Sequence, residues 1–209
     1  IFAMPFALAG YFIGATRPGY GFSLKTFLLV LACMVFARSA AMGFNRWADM
    51  YFDSLNPRTA VREIPSGKIT PRQALLFVTV SSLLFILSAA LLNKLTFILS
   101  PVALIIVLGY SYTKRFTPLC HLVLGLGLSL APIGAYLAVT GSFALLPLLY
   151  SFIVLTWVSG FDIIYSLQDD QFDRDTGLYS IPAVMSRGKA LAISVVLHLI
   201  TAALVVVAG

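Results

Sequence analysis

The sequence predicts an all-α fold, a polytopic bundle of transmembrane helices. Three observations lead there. Hydrophobic residues make up 60% of the 209-residue chain and charged residues only 11%, where a soluble domain carries about 25% charged residues. Seven apolar runs approach or reach the roughly 20 residues that a spanning helix needs. Basic residues collect in alternate connections between those runs, as cytoplasmic loops of membrane proteins do. The mean hydropathy of +0.96 agrees.

The first run, 1–16, has the length of a truncated span and begins without an initiating Met or a charged leader flank. The second covers 24–44 and leads into a long polar connection, 45–73. Runs 74–92, 95–112, 119–139 and 143–164 follow, with short links except after the last. There the segment 165–189 is again long and rich in Gly, Pro and charge. The final run, 190–208, stops with the chain. We therefore expect one transmembrane domain over 1–209, cut from a longer protein at both ends. These runs are too long, and alternate too little, for the wall of a β-barrel.

Loops after the second, fourth and sixth runs hold ten bases, from Arg46 to Lys189, whereas the opposite loops hold only Arg17, Lys25 and Lys94. The first set is predicted to face the cytoplasm, in a multi-pass protein of the inner (cytoplasmic) membrane. That bias also accounts for the net charge of +6 without invoking nucleic acid. Cys33 and Cys120 both lie in apolar runs, which argues against a disulfide framework or a zinc site.

Acidic residues are the sharpest signal. Asn45, Asp49 and Asp53 are spaced four apart, and Asp162, Tyr165, Asp169 and Asp173 three, four and four. On a helix such spacings share one face, so each set is predicted to form a polar stripe at the cytoplasmic end of a span. Carboxylates so arranged repel one another unless basic partners or a bound cation relieve them. Hard oxygen ligands, one or two carboxylates per ion completed by water and phosphate, describe Mg²⁺. Arg62, Lys114 and Arg115 supply cations for remaining phosphate charge. An isolated acid pair at a helix end is usually a solvated face. Two ladders on one side, one of them beginning inside an apolar run, favour the metal reading. His121 and His198, on apolar runs, read as packing or interfacial residues rather than ligands. Aromatics such as Phe152 and Trp157 are candidates for lining an apolar tunnel, although most such aromatics face lipid or neighbouring helices.

The pattern N-x-x-x-D-x-x-x-D followed about a hundred residues later by D-x-x-Y-x-x-x-D-x-x-x-D resembles that of the UbiA superfamily of intramembrane aromatic prenyltransferases. "NPRTAVREIPSG", "YSYTKRFT" and "LAPIGAYLAVTG" extend the likeness over nearly the whole chain. The resemblance implies a helical bundle, usually of nine spans, with a cavity open toward lipid. It implies Mg²⁺-dependent transfer of a polyprenyl chain from its diphosphate to an aromatic carboxylic acid. Asp49, Asp53, Asp169 and Asp173 would then be the main metal-site carboxylates, with Asn45 and Asp162 supporting. Arg62 and Lys114 would bind the diphosphate, with Tyr165 also at the substrate site, and Arg38 would meet the acceptor's carboxylate. Arg46 beside Asn45, "REIPSG" after the first ladder, and the extra acids Asp170 and Asp175 point to the 4-hydroxybenzoate-type branch of quinone biosynthesis. That branch includes enzymes acting on naphthoate precursors of menaquinone, so the acceptor stays open between the two. A cation- or proton-coupled transporter is the competing class. It would place charge near mid-membrane in both halves, whereas here charge collects at one face.

Overall fold

The computed structural model describes residues 3–209, so the first two residues of the predicted run 1–16 lie outside the described residues. Within that range all regular structure is helical: α1 (Met4–Ala15), α2 (Leu24–Ala48), α3 (Met50–Leu55), α4 (Pro71–Leu92), α5 (Lys94–Thr113), α6 (Cys120–Thr140), α7 (Leu145–Ser166), α8 (Asp170–Asp175), α9 (Ile181–Val184) and α10 (Arg187–Ala208). Six of these, α2, α4, α5, α6, α7 and α10, are long and apolar enough to cross a membrane. The first predicted span differs, since α1 is apolar but only 12 residues long.

Helix starts follow local chemistry. Thr70 and Gln73 form a reciprocal capping box ahead of Pro71, and Asn93 with Thr96 does the same for α5. Ser23 and Ser186 cap α2 and α10 through their hydroxyls. Apolar helices have little hydrophobic reason to associate in lipid, so close backbone approach and interhelical hydrogen bonds take over. Ser194 Oγ donates to Gly160 O at 2.8 Å, and the Thr156 and Thr201 hydroxyls meet at 2.7 Å, joining α7 to α10.

The helices α1, α2, α4, α5 and α6 pack in sequence around a shared interior, with α7 against α6 and α10 against α7. A buried cluster of Ala7, Tyr11, Val30, Ala135 and Ala138 ties α1 and α2 to α6. Tyr11 supports it by accepting from Ser23 N–H at 3.0 Å and donating to Ser23 O at 2.9 Å. On the other side, Ile163, Ile181 and Ala190 join α7, α9 and α10. At the end opposite the acidic ladders, Asn93 Nδ2 donates to Leu137 O at 2.8 Å and Tyr20 Oη to Thr140 O at 3.0 Å.

Gly10 is where α1 touches α6 most tightly. A Cβ there would fall 2.0 Å from Pro132 O, a backbone atom that cannot swing aside. Gly10→Ala is therefore expected to force the two helices apart and cost about 1–3 kcal/mol. Thermal denaturation in detergent should show a lowered midpoint, and an unchanged midpoint would place the tight contact elsewhere.

Candidate functional site

Both ladders open onto one polar cavity of about 220 Å³, lined by Asn45, Asp49, Asp53, Arg62, Lys114, Asp162, Tyr165, Asp169 and Asp173 among others. The sequence expectation that the two stripes meet at one end of the bundle is thereby met. The helices beneath them are not continuous. α2 ends at Ala48, and Asp49 sits at the junction with α3, where Asp49 N→Asn45 O (2.9 Å) and Asp53 N→Asp49 O (2.8 Å) preserve the four-residue register. The second ladder breaks more strongly. After Ser166 the bonds become three-residue ones, Gln168 N→Tyr165 O and Asp169 N→Ser166 O, before α8 resumes. Such tightening changes the angular step per residue, yet Asp162, Tyr165, Asp169 and Asp173 still line the same cavity.

Each of four ladder carboxylates is met by a different cation. Arg62 Nη1 donates to both oxygens of Asp53, at 2.6 and 2.8 Å. Lys114 Nζ lies 2.6 Å from Asp173 Oδ1, and Arg115 Nη2 lies 3.5 Å from Asp49 Oδ1. Arg58 pairs with Asp169, which also accepts from Asn56 Nδ2 at 3.1 Å. The sequence reading missed Arg58 and Asn56. "NPR" looks like a turn, and nothing local shows that it reaches across to a residue more than a hundred positions away. Of the cations it did propose, Arg62, Lys114 and Arg115 all line the cavity.

The environments separate the acids. Burial pushes the Asp49 carboxyl above its ordinary range, the neighbouring Asp53 charge pushes the same way, and Arg115 and Lys114 only partly oppose them. For Asp169 burial also raises the value, but the Arg58 and Asn56 hydrogen bonds outweigh it and hold the group below its ordinary range. Asn45 supports the first ladder by donating to Asp49 Oδ2 at 2.8 Å.

His121 corrects the sequence reading. It is buried within α6, yet it is no packing residue: Nδ1 stands 2.7 Å from Asp162 Oδ2, and both side chains line the cavity. Its partner lies 41 positions away, so an apolar flank was the only local context to read. His198 fits its expected role, with Nδ1 2.7 Å from Ser194 O on its own helix.

Asp170, one of the extra acids, does not line this cavity. It takes both Nε and Nη2 of Arg187 at 2.8 Å and Nη2 of Arg174 at 2.8 Å, fastening α8 to the start of α10. The Arg187 hydrogen bonds hold its carboxyl down at about 2, against the opposing effect of burial. A depressed carboxylate stabilises the fold above its unfolded value of about 3.9, and that stability drains away as pH falls through about 4 toward 2. Asp170→Asn is accordingly expected to lower the melting temperature at neutral pH, with the gap to wild type closing on acidification into that window. Melts at stepped pH check this, and a gap independent of pH would separate Asp170 from the effect.

Arg38 stands apart from the polar cavity. It lines a second, apolar cavity of about 370 Å³ together with Met34, Phe85, Leu128 and Phe143. No hydrogen bond or ion pair within the described residues engages its guanidinium. Tyr110 and Leu124 line both cavities and form the wall between them. Phe152 and Trp157 line neither, so of the two roles open to them they take the one facing outward or toward a neighbouring helix. Phe152 is exposed on the outside of α7, and Trp157 packs edge-on against Phe6 at 5.6 Å.

Among the described residues no three His, Cys, Asp or Glu side chains converge as a ready metal cage. Mg²⁺ does not require one, since one or two carboxylates per ion suffice beside phosphate and water. The donor set fits it in kind, being carboxylate oxygens facing one cavity. Asp173 is fully buried, and its Oδ1 has only the Lys114 ion contact and no directed hydrogen bond.

Apolar helices around a one-ended cluster of acids and bases, with an apolar chamber beneath, define a multi-pass membrane protein. The chain belongs to the UbiA prenyltransferase family, whose profile matches residues 3–209. It is 33% identical over 164 residues to the 4-hydroxybenzoate octaprenyltransferase of Aeromonas salmonicida, covering 78% of this chain and 57% of that protein. With the enzyme of that name from Vibrio parahaemolyticus the identity is 34% over 186 residues, covering 87% and 64%. The chain thus spans less than two thirds of these curated relatives. A UbiA homolog from Aeropyrum pernix K1, solved in its apo form, superposes with a TM-score of 0.87 at 40% identity, covering 95% of this chain and 75% of that one. The UbiA homolog from Archaeoglobus fulgidus bound to GPP and Mg²⁺ shares the fold, with a TM-score of 0.80 at 23% identity over 99% of this chain and 72% of that one.

Proposed function

We propose that this site transfers a polyprenyl chain from its diphosphate to an aromatic carboxylic acid of the 4-hydroxybenzoate type, with Mg²⁺, in quinone biosynthesis. The observation that carries the reading is the adjacency of the two cavities: an acid- and base-lined one for a diphosphate, an apolar one for its tail, with Arg38 on the apolar side. The basic bias of the connecting loops supports a polar cavity at the cytoplasmic face of the inner membrane. The names of the curated relatives favour 4-hydroxybenzoate over a naphthoate acceptor. A transporter needs charge along its path through the membrane, and here the charge gathers at one end.

Arg58, Arg62, Lys114 and Arg115 are each held at the cavity by an acid, so cationic donors are gathered where the phosphate oxygens would lie. Bound at Asp49, Asp53, Asp169 and Asp173, Mg²⁺ would neutralise charge developing on the departing diphosphate. The allylic C–O bond breaks with its electron pair going to the diphosphate, a ring carbon ortho to the hydroxyl forms the new C–C bond, and that carbon releases its proton. The apolar chamber keeps water from the electron-poor carbon, which would otherwise be hydrolysed. Arg38 offers a planar fork for the acceptor's carboxylate.

The test is incubation of the chain in lipid with a polyprenyl diphosphate, Mg²⁺ and either 4-hydroxybenzoate or a hydroxynaphthoate, followed by mass analysis. A prenylated 4-hydroxybenzoate is expected. Product from the naphthoate alone would move the acceptor assignment, and no product from either would overturn the reading.

A further inference from the structure

The segment Tyr179–Ser180–Ile181 follows Leu178, which lines the polar cavity, and each of its three residues docks on a different residue of that lining. Tyr179 N donates to Lys114 O at 2.7 Å, Ser180 Oγ to Asp173 Oδ2 at 2.8 Å, and Ile181 N to His121 Nε2 at 3.2 Å. The third contact has a chemical consequence. A ring nitrogen that accepts an amide N–H carries no proton, so the proton of a neutral His121 resides on Nδ1. Nδ1–H then donates to Asp162 Oδ2 at 2.7 Å. Among the ladder acids Asp162 alone has no Lys or Arg partner within the described residues. Its orientation therefore rests on His121.

We infer that His121 is a positioning residue, which fixes Asp162 toward the cavity only while the segment 179–181 is docked. The ring is enclosed, with 2% of its side chain exposed, and its two nitrogens are taken up by Asp162 and Ile181. One oxygen of Asp162 is held by His121, and the residue lines the cavity. Undocking the segment would remove the acceptor role of Nε2, free the ring to change tautomer, and release the carboxylate. The site is in this way assembled from the cap inward. The effect on turnover rests on the proposed prenyl transfer, whereas the docking contact does not.

Two conservative variants divide the functions of the ring. In His121→Asn the amide nitrogen takes the place of Nδ1 and keeps the donor to Asp162, while nothing reaches Ile181. In His121→Gln the amide oxygen takes the place of Nε2 and keeps the Ile181 contact, while the donor to Asp162 is lost. The readouts are turnover in lipid, with each substrate varied, and the rate of tryptic cleavage at Arg174 and Arg187 without substrate. His121→Ala and His121→Gln are expected to lose roughly 10- to 100-fold in kcat, the worth of a charge-assisted hydrogen bond, with KM for the prenyl diphosphate little changed. His121→Asn should recover most of that loss. Cleavage should accelerate in the Asn and Ala variants and stay near wild type in Gln. Equal losses of turnover in Asn and Gln, or equal cleavage in all three, would overturn the inference and leave His121 as filler. If wild type makes no product, the proposed reaction fails, and the cleavage pattern still decides whether His121 holds the segment.

Discussion

Asp49→Ala and Asp169→Ala are each expected to lower turnover by at least roughly 10²-fold, the scale for removing one group that stabilises transition-state charge, while the protein remains folded and extractable. The structure makes these two the clean substitutions. Both carboxylates are partly open to the cavity, and their partners Arg115 and Arg58 are themselves partly exposed, so neither change strands a buried cation. Asp53 and Asp173 are different, because both are buried and Asp173 also receives Ser180. Removing either would disturb the cap as well as the chemistry. The measurement is kcat with saturating prenyl diphosphate and aromatic acid, beside a melting curve. Loss that excess substrate rescues would indicate weakened ground-state binding alone, and near-normal turnover in both variants would remove these acids from the metal site.

Arg38→Ala should act on the other substrate. A guanidinium inside a span is costly unless it meets an anion or a wet cavity, and Arg38 lines the apolar cavity with no hydrogen-bond or ion-pair partner among the described residues. Its planar, two-pronged guanidinium is complementary to an incoming carboxylate. The apparent KM for the aromatic acid is expected to rise about 10- to 100-fold, the worth of a charged hydrogen-bonded contact, with the value for the prenyl diphosphate nearly unchanged. Arg38→Lys should recover only part of the loss, because an ammonium lacks the two-pronged fork. Steady-state kinetics with each substrate varied in turn decide it. An equal effect on both substrates would assign Arg38 to the diphosphate or to structure.

Much of this protein is legible along the chain because its solvent is a bilayer. Lipid offers backbone groups no hydrogen-bond partner, so long apolar runs must become helices, and the ends of α2, α4, α5, α6, α7 and α10 fall within a few residues of the predicted spans. Charge is equally constrained, which is why the acids and most bases announce one end of the bundle. Four-residue spacing survives the break at Asp49, because the i→i+4 bonds run through it.

Partnership was decided only by tertiary structure. The sequence determined that acids spaced along a helix need cations; it did not determine which. Arg58 reaches Asp169 and Asn56 joins it, because the segments after α2 and α7 meet, and Asp170 turns from the site to hold Arg187 at the start of α10. Through that packing His121, apolar in its local context, receives the Asp162 carboxylate from one side and the Ile181 amide from the other. Helix periodicity is a local property and can be read from neighbours in the chain. A hydrogen bond between residues dozens of positions apart is set by how the helices and their connecting loops pack, which no local pattern records.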